Sequence, residues 1–242
     1  MIKKNLRMSM RGALLLSFLF VLFIEPSLCS ATEVWSDNFD DGNLDGWVHD
    51  AGSTAVGGAL RFSYSTEAYR PSNITSGTWS FDVLTIGDWG NAAFSALNIH
   101  FMTTDPTSPP VAYYCLKIIQ GGVAAGLKYI YSIVKGDGGS FTTLASGDGY
   151  EGTDLNGVLQ HIRVTRSPTG HMTVHVNDTL IVETTNNDIT TSGYFRIIMT
   201  YDYAIDNIVV DDAPPGVPME LLAMGVGIAV ILVVAVVIVK RR

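Results

Sequence analysis

Cysteine is almost missing from this chain, with Cys29 and Cys115 the only two in 242 residues. Cys29 lies in an N-terminal segment expected to be removed, so Cys115 has no intrachain partner and no disulfide can staple the rest. Its surroundings, Tyr113-Tyr114-Cys115-Leu116-Lys117-Ile118-Ile119, read as a strand with Cys115 a small buried residue. There is no Cys pair and no His at ligand spacing, which argues against a zinc site. Basic residues are scarce as well. Residues 32–218 hold eight of them (Arg61, Arg70, Lys117, Lys128, Lys135, Arg163, Arg166, Arg196) against twenty-one Asp and Glu, a net of about −13. A surface that acidic repels the phosphates of nucleic acid and anionic lipid. It suits solubility on an exposed surface, or calcium binding. Helical periodicity is almost absent between residues 32 and 213, and no internal repeat is visible.

Long apolar runs occur only at the two ends. Lys3, Lys4, Arg7 and Arg11 precede the apolar stretch Gly12 to Ile24, and Glu25-Pro26-Ser27 then leads to the small residues Cys29-Ser30-Ala31. Basic, apolar, then small is the order of a secretory signal peptide, expected over residues 1–31. Lipidation at Cys29 is disfavoured because Leu28 precedes it. At the other end, Leu221 to Val239 is an unbroken apolar run of nineteen residues closed by Lys240-Arg241-Arg242. At 1.5 Å per residue it spans roughly 28 Å, close to the hydrocarbon thickness of a bilayer. Residues 219–239 are therefore expected to form one transmembrane helix, with 240–242 a basic cytoplasmic tail and the preceding domain outside the cell. A processing signal removed by a transpeptidase has the same outline. Residues 213–218, with three prolines, are a short stiff spacer between that helix and an ectodomain at 32–212.

Within the ectodomain, apolar and polar residues alternate with period two in short runs. Leu60, Phe62 and Tyr64 oppose Arg61 and Ser63. Trp79, Phe81 and Val83 alternate with Ser80 and Asp82, and Leu97, Ile99 and Phe101 with Asn98 and His100. The same pattern recurs at Ile162-Val164 and at Met172-Val174-Val176, with His161, His171 and His175 on the polar side. Turn signals separate the runs, among them Gly57-Gly58, Gly121-Gly122, Gly136-Asp137-Gly138-Gly139 and Asn177-Asp178. About twelve or thirteen one-sided strands result, and so many must pack as two sheets face to face. The predicted fold is an all-β antiparallel sandwich.

Three segments carry a family resemblance. The opening Asp37-Asn38-Phe39-Asp40-Asp41-Gly42-Asn43-Leu44-Asp45-Gly46-Trp47 resembles the first strand and turn of concanavalin A-like (laminin-G-like) jelly rolls. Leu159 to Arg166, then Gly170 and Met172 to Asp178, is similar to their late hairpin, with Asp178 where Gly is usual. Ala204-Ile205-Asp206-Asn207-Ile208-Val209-Val210 resembles the closing strand that returns beside the first. The resemblance implies a two-sheet jelly roll, often with a structural calcium ion and a glycan-binding concave face.

Hydrolases on this fold use Glu-x-Asp-x-x-Glu on one strand, since acid and nucleophile must flank one bond about 5 Å apart. The ectodomain has four glutamates, Glu33, Glu67, Glu151 and Glu183, none in that pattern. A Gly-x-Ser-x-Gly elbow is missing too. The sequence thus points to a non-enzyme. Glycan binding needs aromatic platforms beside polar groups. Trp89, in Gly87-Asp88-Trp89-Gly90-Asn91, is the leading candidate and is equally readable as a packing residue; Tyr69-Arg70 and Tyr201-Asp202-Tyr203 follow. Asp37, Asp40 and Asp206 are the candidate calcium ligands, or else solvated turn residues. Asn73 and Asn177 head Asn-x-Thr acceptors for N-glycosylation. The expectation is a membrane-anchored surface module recognising glycans or a neighbouring surface protein. The alternatives are an inert envelope component or a divergent glycosidase.

Overall fold

The computed structural model describes residues 32–63, 66–85, 96–106, 112–121, 127–152, 157–199 and 203–212. The expected signal peptide, spacer, transmembrane helix and basic tail lie outside them, as do Trp89 and Tyr201.

The described residues form strands and turns and no helix. The strands are β1 (Glu33–Asp37), β2 (Val48–His49), β3 (Ser53–Ala55), β4 (Leu60–Phe62), β5 (Thr66–Pro71), β6 (Gly77–Thr85), β7 (Ala96–Thr103) and β8 (Ala112–Gly121). There follow β9 (Leu127–Asp137), β10 (Ser140–Gly152), β11 (Leu159–Arg166), β12 (His171–Val176), β13 (Thr179–Thr185), β14 (Tyr194–Met199) and β15 (Tyr203–Asp211). Fifteen strands exceed the twelve or thirteen predicted. The surplus lies in pieces such as β2 and β3, which are too short to show a period.

All pairings are antiparallel. One sheet runs β13-β12-β11-β6-β15-β4-β3, with β1 also on β15; the other runs β10-β9-β8-β7-β14-β5-β2. The hairpin β11–β12 and the return of β15 beside β1 fall where the sequence placed them, with Asp37 opposite Ile208. At Asn207 the β15–β6 register slips, and the residue takes φ +49° to make the bulge.

The alternation read from the sequence decides which faces meet. Trp79, Phe81, Ile162, Val164, Met172 and Val174 from the first sheet face Leu97, Ile99, Tyr114, Leu116, Tyr131, Ile133 and Ile197 from the second, all buried. Three features tie the core to its rim. Tyr131 donates to Gln160 across the sheets. The buried Arg166 stretches under Tyr114, donating to the carbonyl of Thr75, to Asn187 Oδ1 (2.7 Å) and to the carbonyl of Ile189 (3.1 Å). At the end of the sandwich, Asp37 accepts from the Phe39 amide (3.0 Å) and from Trp47 Nε1 (2.8 Å). The Arg70 guanidinium lies 4.2 Å over the Trp35 ring and 3.8 Å from Asp37. The opening motif is thus a clamp that closes one end of the sandwich.

Candidate functional site

Side chains on the seven-stranded sheet that do not face the core form its outer surface, and the register sorts them into rows. One row reads Val48, Tyr69, Arg196, His100, Cys115, Val134, Thr143 from β2 to β10. A second reads Glu67, Ile198, Asn98, Lys117, Ser132, Ser146. The third reads Pro71, Tyr194, Thr103, Tyr113, Gly136, Phe141. Aromatic rings and hydrogen-bonding groups alternate across this face, which is unlike a merely solvated one.

The groups support one another. Tyr69 and Tyr194 meet edge to face, 5.8 Å between centroids. His100 stacks on Tyr113 at 4.4 Å. Gly136 is required here, because a Cβ at that position would lie 1.9 Å from Tyr113 Cε1. Phe141, 65% exposed, stands beyond it, with the Lys117 ammonium 5.6 Å from its centroid. Arg196 is 1% exposed and ion-pairs with Glu67 through Nε (3.1 Å) and Nη2.

Two register partners on this face have unmet hydrogen-bonding atoms. Arg196 Nη1 and His100 Nδ1 are both buried and without a partner among the described residues. Leaving such a group unpaired costs on the order of 1–3 kcal/mol, offset here by the packing that encloses both side chains. Burial, reinforced by the nearby Arg196 charge, lowers the His100 pKa to about 3. His100 is therefore neutral at pH 7. Burial pushes the Cys115 thiol far up, so it is inert packing.

The strand positions of this face carry two carboxylates among the described side chains, Glu67 on β5 and Asp148 on β10. Each already has a cation, Arg196 and Lys128 respectively, the latter at 2.5 Å. Five inter-strand steps separate β5 from β10, roughly 24 Å. Among the described side chains, Glu67 and Asp148 are too far apart to flank one glycosidic bond.

The outer face of the other sheet is an exposed mosaic of matched pairs. His161 bonds Asp82 (2.8 Å), His171 bonds Glu183 (2.8 Å) and Thr165 bonds Thr173 (2.7 Å). The three histidines are solvated surface groups, as the sequence suggested.

Of the residues singled out from sequence, Tyr69 belongs to the aromatic rows. Tyr203 is 1% exposed and packs inside the sandwich, so its ring offers no platform to a ligand. Arg70 is held by Trp35, Trp47 and Asp37, a packing arrangement that leaves it little freedom to meet a ligand. Asp37 already accepts from two N–H groups. Asp40 accepts from Asn38 Nδ2 (2.7 Å), and Asp206 from the Asn207 amide (2.6 Å). Beside them a recess of about 520 Å³ is lined by Asp37, Asn38, Asp41, Asn43 and Asn207 among others. Among the described residues no three His, Cys, Asp or Glu side chains are gathered to hold a metal ion. Asn73 and Asn177 are both exposed, in a loop and a tight turn.

His100, Tyr113, Phe141, Tyr194, Lys117 and Arg196 were not singled out from sequence. The signal was present in Tyr113-Cys115-Lys117, the face of β8 opposite Tyr114, Leu116 and Ile118. What alternation could not supply was which residues of other strands lie alongside.

No protein-family model and no curated protein matches this sequence. Solved structures do match in fold. The carbohydrate binding module CBM66 from Bacillus subtilis aligns at 12% identity and TM-score 0.51, over 70% of this chain and 97% of that one. The carbohydrate recognition domain of Emp47p aligns at 12% identity and TM-score 0.60, over 76% and 97%. A Bacillus licheniformis β-glucanase aligns at 12% identity and TM-score 0.54, over 75% and 98%. The described domain shares the antiparallel two-sheet jelly-roll fold of these proteins. At such identities the likeness establishes the fold, while binding modules and a hydrolase alike stand among its neighbours.

Proposed function

We propose that the chain is a non-catalytic glycan-recognition protein whose binding surface is the outer face of the seven-stranded sheet, displayed outside the cell on a C-terminal membrane helix. One observation carries the reading: the aromatic rings of Tyr69, Tyr194, Tyr113 and the exposed Phe141 share one sheet face with the polar side chains of Asn98, Lys117 and Thr143. Sugar rings present apolar C–H faces that stack on aromatics and hydroxyls that both donate and accept, so they fit such a face. The carbohydrate binding module CBM66 and the carbohydrate recognition domain of Emp47p, on the same fold, support it. The distant, ion-paired carboxylates favour binding over hydrolysis. Trp89 and Tyr201 remain proposed additional contacts from segments bordering the strands.

The test is a glycan array probed with the full-length chain in detergent micelles. Binding to a subset of glycans without change in their length is expected. Cleavage of a bound glycan would make the chain a hydrolase; absence of binding would favour the inert envelope component.

A further inference from the structure

The charge on the sheet face differs from that of the domain around it. The ectodomain has eight basic residues against twenty-one acidic ones, yet three of the eight, Lys117, Lys128 and Arg196, stand on this one face. The two carboxylates described on the face are already matched, Glu67 by Arg196 and Asp148 by Lys128. Lys117 is left over. It makes no ion pair with any described residue, and its ammonium lies 5.6 Å from the centroid of the exposed Phe141 ring. An ammonium without a counter-charge among the described residues calls for an anionic oxygen.

We infer that the ligand of this face is an acidic glycan, carrying a carboxylate or a sulfate ester, whose anionic group docks on the partly exposed Lys117 beside Phe141. The inference rests on the glycan reading above and deepens it. Phe141 beside Lys117 supplies the stacking surface for the sugar ring that bears the anion. The acidity of the rest of the domain does not forbid this. Its repulsion acts at range and is screened within about 8 Å at physiological salt, whereas a direct contact is screened far less. The same repulsion disfavours an acidic ligand elsewhere on the domain and so confines it to this face.

The experiment uses the full-length chain in detergent micelles and matched glycan pairs: a uronate-containing oligosaccharide with its carboxyl-reduced counterpart, and a sulfated one with its desulfated counterpart. The acidic member of at least one pair is expected to bind about tenfold or more tightly than its neutral counterpart, the size of one charge-assisted hydrogen bond. The pair that discriminates identifies the anion. Lys117→Gln, at a partly exposed position, is expected to bring the acidic member down to its neutral counterpart while the melting temperature holds. His171→Ala, on the other sheet, should leave the discrimination intact. Equal binding within both pairs, or discrimination that survives Lys117→Gln, overturns the acidic ligand and leaves glycan binding standing. Binding of no glycan, acidic or neutral, overturns the glycan reading and this inference with it.

Discussion

His100 is a buried histidine on the seven-stranded sheet, 4% exposed. Its pKa, lowered by burial and then by Arg196 from 6.5 to about 3, keeps the imidazole neutral in the fold. The unfolded chain binds the proton more readily, so stability conferred by neutral His100 is complete above pH 6.5 and is lost as pH falls toward 3. His100→Gln should flatten that part of a stability-versus-pH curve, measured by thermal unfolding; an unaltered slope would contradict the burial argument. Asp206 shows the opposite sign. Burial first, then Asp82, Asp40 and Asp37, raise its pKa above 3.8, so its charge opposes folding as pH rises through and beyond that window. Asp206→Asn keeps the acceptor for the Asn207 amide and should raise the melting temperature at pH 7. A fall would contradict the repulsion. The calcium ion implied by the family resemblance is tested in the same pair of proteins. Bound at Asp206, it makes the parent's transition sensitive to chelator and the variant's insensitive. Equal transitions throughout leave Asp37, Asp40 and Asp206 as turn residues.

The β12–β13 hairpin shows what local sequence can specify. Asn177 and Asp178 take φ +48° and +64°, the two positive values of a type I′ turn. Asn tolerates this conformation well; Asp tolerates it less well than Gly. Asp178→Gly should therefore stabilise the domain by up to about 1 kcal/mol, since the 3.7 Å contact it loses with Arg163 is exposed. A denaturant melt decides, and destabilisation would show that the ion pair outweighs the turn. At element level the sequence was highly legible. Trp79, Phe81 and Val83 on β6, and Ile162 and Val164 on β11, face inward as their alternation required. The opening motif was recognisable by resemblance, but its physics was not. Only the fold brings Trp47 Nε1 onto Asp37 and Arg70 onto Trp35, four residues spread over thirty-six positions of chain. Arg166 escaped notice for the same reason, because its acceptors at Thr75, Asn187 and Ile189 belong to two distant loops.

For the whole molecule, hydrophobic patterning was enough to name a two-sheet sandwich, because one-sided strands have no other way to bury their apolar face. It was not enough to place the binding surface. Sequence reasoning looked for aromatics in glycine-rich loops and reached Trp89, whereas the described surface is assembled from one or two residues on each of five strands. Tyr203 was misplaced because Tyr201-Asp202-Tyr203 offers aromatic rings beside a carboxylate, while the register of β15 with β6 turns Tyr203 into the core. The proposed anchoring is a separate matter. A reporter fused after Arg242 should be cytoplasmic and the ectodomain protease-accessible on intact cells; a protected ectodomain would reverse the orientation drawn from the basic tail. The central claim is that one sheet face binds sugar and the other does not. Its most direct measurement is the affinity of the best array glycan for Phe141→Ala and Tyr69→Ala, set beside His171→Ala on the opposite sheet. Phe141→Ala should lower affinity about tenfold or more while shifting stability by less than about 1 kcal/mol. Tyr69→Ala should weaken binding in the same direction, and His171→Ala should leave it unchanged. Affinity lost in His171→Ala and kept in the other two would contradict the account.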